Sequence, residues 1–121
     1  MAAALTRSTL FDAMLGEAWL AGLTLYAEPP DQLAGAALVI SPRDPYRDYS
    51  TFGRLSTFLT ISVLLPRTHG PAMDRIDAIL SDLYAFLEGL DACELGPTRL
   101  GITDTVGGIE YIAAMVDITL S

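Results

Sequence analysis

The sequence lacks several of the residue types that carry chemistry in proteins. It has no lysine, because all seven of its basic residues are arginine, and it has one histidine, His69, and one cysteine, Cys93. A single cysteine excludes an intramolecular disulfide and a zinc cluster built on cysteines, and a single histidine excludes any two-histidine metal motif. The seven arginines stand against 15 acidic residues, a net charge of −8. That balance argues against a protein that wraps nucleic acid, since neutralising phosphates requires a basic face.

Long apolar runs are also missing. The longest uncharged stretch, residues 55–66, is shorter than the roughly 20 residues that a membrane-spanning helix needs. No signal peptide is expected, because Asp12 and Glu17 interrupt the first apolar segment. Yet 51% of the residues are hydrophobic and only 18% are charged. In one domain over residues 1–121, this excess favours burial of apolar surface against other copies or partners.

The hydrophobic pattern predicts an α+β domain with the order α-β-β-β-α-β-β, a mostly antiparallel sheet flanked by two helices. The first helix is predicted to start at a capping Ser8, to continue through Trp19 and to end at Gly22. The second is predicted to open at Gly70-Pro71 and to end near Gly89. Strands are predicted over 23–26, 36–40, 54–65, 93–102 with an interruption at Gly96-Pro97, and 109–120 after a Gly107-Gly108 hairpin turn.

One segment stands apart in composition. Residues 41–54 contain two prolines and are predicted to form a long loop. Between residues 43 and 54 three arginines stand against two aspartates, which makes this the one net-positive part of the chain. Arginine and tyrosine are enriched at interface hot spots. The segment is therefore predicted to contact a partner or another copy through Arg43, Tyr46, Arg47, Tyr49, Phe52 and Arg54. The alternative is a solvated loop whose charges pair locally.

No residue is predicted to be catalytic. His69 precedes Gly70-Pro71 without an orienting carboxylate or a nucleophile in a recognisable motif, so a solvated loop histidine is favoured. Cys93 lies in an apolar segment, which is typical of a buried, inert thiol. Asp74, Asp77 and Asp82 fit a solvated helix face better than a metal site. We therefore predict a protein that is not an enzyme and has no metal and no cofactor.

The whole pattern resembles the phage tail terminator family, the ring proteins that close the top of a phage tail tube. The resemblance covers nearly the entire chain and is closest to versions from phages of actinobacterial hosts. It rests on the amphipathic first helix, the Glu28-Pro29-Pro30-Asp31 turn, the Ser41–Tyr46 stretch leading to Thr51-Phe52-Gly53, the long alternating strand, the second helix, and the closing Gly107–Ile118 segment with its Gly-Gly, Tyr and Ala-Ala.

The resemblance implies a homo-oligomeric ring, expected to be a hexamer, that binds the last ring of tail tube protein and ends tube polymerisation. The ring would offer a docking surface to the head–tail connector or stopper protein, and DNA would pass through its lumen without specific binding. It would be made in the host cytoplasm and reside in the virion, at the tail–neck junction. Three alternatives stay open: another neck protein such as a head–tail stopper, a tail-tube-like subunit, or a small ligand-binding or enzymatic α+β domain.

Overall fold

The computed structural model describes residues 7–27, 35–49, 55–66, 72–90, 93–106 and 109–120. Their order confirms the predicted α+β arrangement of two helices and one mostly antiparallel sheet of five strands. The elements are α1 (Arg7–Leu15), a 3-10 turn (Ala18–Leu20), β1 (Thr24–Tyr26), β2 (Ala37–Tyr49), β3 (Leu55–Pro66), α2 (Ala72–Glu88), β4 (Cys93–Val106) and β5 (Ile109–Leu120).

The sheet has the strand order β1-β2-β3-β5-β4. Strand β1 pairs in parallel with the start of β2, over the three pairs from Thr24↔Ala37 to Tyr26↔Val39. All other neighbours are antiparallel. The long strands β3 and β5 lie at the centre, and β2 and β4 flank them. This order places β4 at one edge of the sheet and short β1 at the other.

Both helices pack on the same face of the sheet, which we call the helix face. Alternate residues of β3 and β5, such as Ile61 and Val116, are fully buried there, as their period-two pattern predicts. The aliphatic residues that recur at helical spacing along α2, such as Ile76, Leu80 and Leu83, join the same core as those strands. Leu10 and Met14 of α1 complete the core.

The opposite face, which we call the open face because neither α1 nor α2 packs on it, is mixed in character. A small cluster of buried apolar residues lies at one end of it, formed by Ala37, Val39, Leu64, Tyr111 and Ala113. Towards the other end of β3 and β5 the residues become polar, with the cross-strand pair Thr60↔Asp117. The two faces of the same strands therefore differ in chemistry.

The first helix is shorter than predicted. It ends at Leu15 instead of Gly22, and Ser8 lies inside the helix instead of capping it. Gly16 follows at once, and glycine is among the poorest helix formers because ordering its backbone costs the most entropy. The chain then tightens into the 3-10 turn, and Gly22, at a φ of +86°, follows it. Leu15, the last residue of the helix, is 58% exposed.

The predicted loop at residues 41–54 is the largest correction. Strand β2 does not stop near residue 40 but continues to Tyr49, pairing with β3. Two prolines are tolerated here because β1 pairs only as far as Val39. Among the described strands the rest of β2 therefore lies at a sheet edge, where proline is allowed. The pairing is also irregular between Pro42 and Arg47, as expected of a bulge. Residues 50–54 lie outside the described residues.

Strand β4 also runs further than the predicted residue 102, to Val106. The interruption expected at Gly96-Pro97 is confirmed, since the pairing with β5 shifts between Leu95 and Thr98. Val106 pairs with Ile109, so β4 and β5 form the predicted hairpin. The two glycines between them lie outside the described residues.

Candidate interaction surface

Four of the six residues predicted at an interface lie on one strand. Arg43, Tyr46, Arg47 and Tyr49 all belong to β2, and Arg47 and Tyr49 are in register with Thr57 and Leu55 of β3. Of these four, Arg43 is the one whose side chain is described, and the remaining two predicted residues, at positions 52 and 54, lie outside the described residues. We refer to residues 41–49 as the β2 extension, the part of β2 beyond its pairing with β1.

The side chain of Arg43 lies over the open face. Its guanidinium carbon is 5.7 Å from the centre of the Phe58 ring on β3. A cation held over an aromatic ring at an exposed site contributes about 0.5–1 kcal/mol. The contact holds the half-buried guanidinium of Arg43 on the same face as Asp117. Arg43 itself belongs to β2, the strand that carries most of the predicted interface residues.

The β2 extension presents an uncovered strand edge. Strand β1 ends at Tyr26, and the next carbonyl, that of Ala27, accepts a hydrogen bond of 2.7 Å from Nη1 of Arg7. On the side of the β2 extension away from β3, no strand of the described residues pairs with it. Such an edge offers backbone donors and acceptors to another chain.

Strand β4 provides the second edge, at the far end of the sheet. Within the described ranges it pairs with β5 alone. Pro97 falls at the bulge, but no proline follows it between Thr98 and Val106. Leu100 on this strand is 58% exposed. It is one of three large hydrophobic side chains that are exposed among the described residues.

Asp117 lies opposite the β4 bulge and ties three strands together. The residue is only 7% exposed. Its Oδ1 accepts a hydrogen bond of 2.8 Å from the Thr60 hydroxyl on β3 and another of 3.0 Å from Nη2 of Arg99 on β4. A buried carboxylate is stable only when it is paired in this way. Asp117 is not among the residues predicted from the sequence to form a site. The signal that could have indicated it is a lone aspartate in an otherwise apolar stretch of β5.

At Gly96 the backbone of β4 approaches the backbone of Asp117 closely. A Cβ on Gly96 would lie 2.9 Å from the Asp117 carbonyl oxygen and 3.3 Å from its Cβ. Real Cβ atoms do not approach a backbone oxygen that closely, so only glycine fits this bulge without a shift of the backbone.

Cys93 and the three aspartates follow the predicted behaviour where the structure describes them. Cys93 is half-buried, and burial raises the pKa of its thiol from the ordinary 9.0 to about 11. A thiol with this pKa remains protonated at neutral pH and is a poor nucleophile. Asp74, Asp77 and Asp82 are exposed on α2. Across the described ranges, no group of three or more histidine, cysteine, aspartate or glutamate residues is placed to hold a metal ion. His69 lies outside those ranges.

An open groove of about 370 Å³ lies between the 3-10 turn and β1. Glu17 is its one charged lining residue. The other residues that line it are Leu15, Ala18, Leu20, Ala21, Leu23 and Leu25. A ligand site usually adds several convergent polar groups to an apolar pocket, and this lining supplies one carboxylate.

The helices of the described residues include none that is both long and apolar enough to cross a membrane. The features that stand out in the described part of the chain are therefore surfaces: two uncovered strand edges and a polar open face centred on Asp117. No family model matches the sequence, and no curated protein matches it.

Proposed function

We propose that this protein is a structural component of a phage tail that resembles a tail terminator: a ring that caps the tail tube, ends tube polymerisation and offers a docking surface to the head connector. The observation that carries the proposal is the β2 extension. The segment predicted from composition to be an interface is a strand that runs past the end of β1, with one edge that no described strand covers.

Several features support assembly through such an edge. The β2 extension contains arginine and tyrosine, the residue types that dominate interface energies. Three large hydrophobic side chains, Leu15, Met73 and Leu100, are more than 40% exposed in the single chain. Burial of exposed apolar surface between copies is the main force that holds oligomers together.

The net charge of −8 fits a ring through which DNA passes. A basic lumen would hold the genome by phosphate contacts, whereas an acidic one repels it. The ring would therefore conduct DNA without binding it specifically. In this proposal the protein has no catalytic role and needs no cofactor.

Ending polymerisation requires two different faces. A ring added to a growing tube exposes the same surface as the ring beneath it, so the tube grows until a component lacks the second patch. The terminator would bind the last tube ring with one face and the head–tail connector or stopper with the other. Its place would be the tail–neck junction of the virion, after synthesis in the host cytoplasm.

Removing the gene from the phage separates the alternatives. Loss of a terminator gives overlong tails or tails that cannot join heads. Loss of a stopper leaves tails of normal length that cannot retain a head, and loss of a tube-like subunit leaves no tails at all. Tails of normal length that join heads efficiently would refute all three roles and leave the ligand-binding or enzymatic alternative.

The charge-reversed variant Arg47→Glu tests the β2 extension itself. Reversing a charge at a buried interface position costs about 2 kcal/mol or more of binding free energy. We expect this variant to fail in complementing the deletion, while Asp74→Arg, a charge reversal on the exposed surface of α2, complements it. Normal tails with Arg47→Glu would show that the β2 extension is only a solvated edge.

A further inference from the structure

We infer that the outer edge of β4, from Thr98 to Thr103, receives the β2 extension of a second copy of this chain, so that neighbouring sheets join edge to edge. This inference rests on the proposed ring. It assigns a specific acceptor surface to the edge that the proposed function uses, and it predicts that the two edges of one subunit contact two different neighbours.

The bulge defines where the acceptor edge begins. Gly96 and Pro97 lie opposite Asp117, where the register of β4 against β5 shifts. Proline has no N–H to donate, and a bulge twists the strand away from a partner, so both features block pairing there. From Thr98 to Thr103 the strand has no proline and keeps a regular register against β5, up to a second shift between Thr103 and Val106. Its residues can therefore donate and accept hydrogen bonds along about 20 Å at the usual rise of a strand.

Asp117 holds this edge in place and neutralises it. The ion pair with Arg99, at 3.0 Å, fixes β4 against β5 just after the bulge. It also compensates the one arginine of β4, so that the arginines of an incoming β2 extension do not meet an unpaired cation. The exposed Leu100 beside Arg99 offers apolar surface to the incoming strand.

The choice of occupant follows from symmetry. A closed ring of identical subunits needs a heterologous interface, in which one patch binds a different patch on the next copy. Among the described strands, two edges on opposite sides of the sheet are uncovered: the β2 extension, beyond the end of β1, and β4. Pairing one with the other uses each edge once per subunit. Pairing of β4 with β4 would instead give a two-fold dimer and leave the β2 extension uncovered.

Disulfide trapping tests this arrangement. In a Cys93→Ser background, one cysteine replaces Leu100 and a second replaces each of residues 43–49 in turn. We expect at least one of these double variants to form, on mild oxidation, a ladder of covalent oligomers that ends at the ring. The matching single variants should stay uncrosslinked. Dimers formed by the Leu100→Cys variant alone, without ladders from any double variant, would show two-fold β4 pairing and overturn the inference.

A second arm uses a charge instead of a crosslink. Leu100→Arg places an unpaired cation on an exposed position of the edge, where it repels the arginines of the β2 extension, and Met73→Arg makes the same type of change on α2, where Met73 is 41% exposed. We expect Leu100→Arg to weaken ring formation at least tenfold, as measured by mass photometry or sedimentation, while the Met73→Arg ring forms normally. Circular dichroism confirms that both variants fold.

The outcomes separate this inference from the proposed function. Rings and normal tails that survive Leu100→Arg unchanged would mean that the ring forms through other surfaces, so the inference fails while the function stands. Wild-type protein that stays monomeric both alone and on tail tubes, in a phage whose tails do not depend on it, would overturn both.

Discussion

The two faces of the sheet belong to the same strands but carry side chains of different chemistry. The helix face is aliphatic along β3 and β5, and Ile61 and Val116 on it are fully buried. The open face carries hydroxyls, an ion pair and a cation over a ring, with Asp117 at its centre. The helix face can supply most of the stability through apolar burial. The ion pair on the open face fixes the register of β4 against β5. Its effect depends on the geometry of that contact more than on the area that it buries.

The largest effect is expected from a substitution that disrupts the helix face. Ile61→Asp should unfold the domain, because an unpaired carboxylate in an apolar core costs about 4 kcal/mol or more against a total stability of about 5–15 kcal/mol. Ser62→Asp, one residue along the same strand but on the open face, should be far milder. Urea denaturation followed by circular dichroism measures both. Equal losses of stability for the two variants would show that the faces do not differ in the way described.

Removing the carboxylate at the centre of the open face should have the next largest effect. Asp117→Ala removes both hydrogen bonds to Thr60 and Arg99, and we expect a loss of about 2 kcal/mol in the free energy of unfolding. Asp117→Asn keeps an acceptor for the Thr60 hydroxyl and should lose less. Arg99→Gln should also lose less, because solvent screens its exposed guanidinium. An unchanged urea midpoint for Asp117→Ala would mean that the three strands are held by other contacts.

Substitutions at two glycines of β4 extend the comparison to the backbone. Gly96→Ala should cost about 1–3 kcal/mol, because its Cβ would overlap the Asp117 carbonyl and force the bulge to move. Gly101→Ala places a Cβ 3.6 Å from the Met115 methyl, an ordinary contact. That change should be neutral or stabilise by about 0.5 kcal/mol. Thermal melting of the two variants tests the pair, and equal melting temperatures would contradict the close approach at Gly96.

The smallest expected effect concerns Cys93 and pH. Its thiol has a pKa of about 11 in the folded chain against an ordinary 9.0. The folded state therefore holds this proton more tightly than the unfolded state does, and the resulting stability is complete below pH 9 and is lost as the pH rises towards 11. Cys93→Ser lacks this contribution, so its melting temperature should fall less than that of the wild type between pH 8 and pH 10.5. Parallel curves for the two proteins would exclude the effect.

Periodicity in the sequence predicted the elements that bury a face. The strand at 54–65, the stripe of α2 and the closing strand at 109–120 follow from spacing alone, because one apolar face per element leaves a clear pattern. The β2 extension did not follow, since proline and charge are typical of loops and no local signal reports that β1 stops pairing at Val39. The network of Asp117 with Thr60 and Arg99 joins three strands, and such pairing depends on register, which a single sequence does not reveal.

The placement of β5 between β4 and β3 has a consequence for the order in which the chain folds. On one side β5 forms a hairpin with β4, and Val106 meets Ile109 three residues later. On the other side it meets β3 across the whole of α2, with Pro66 next to Tyr111. Local contacts form before distant ones because closing a long loop costs more entropy. We therefore expect the two hairpins, β2–β3 and β4–β5, to form first and to dock afterwards through their inner strands, β3 and β5. If the chain extended at α2 at that stage, two chains could exchange hairpins and still form every strand pairing. A domain-swapped dimer is therefore the expected misfolded product of this topology.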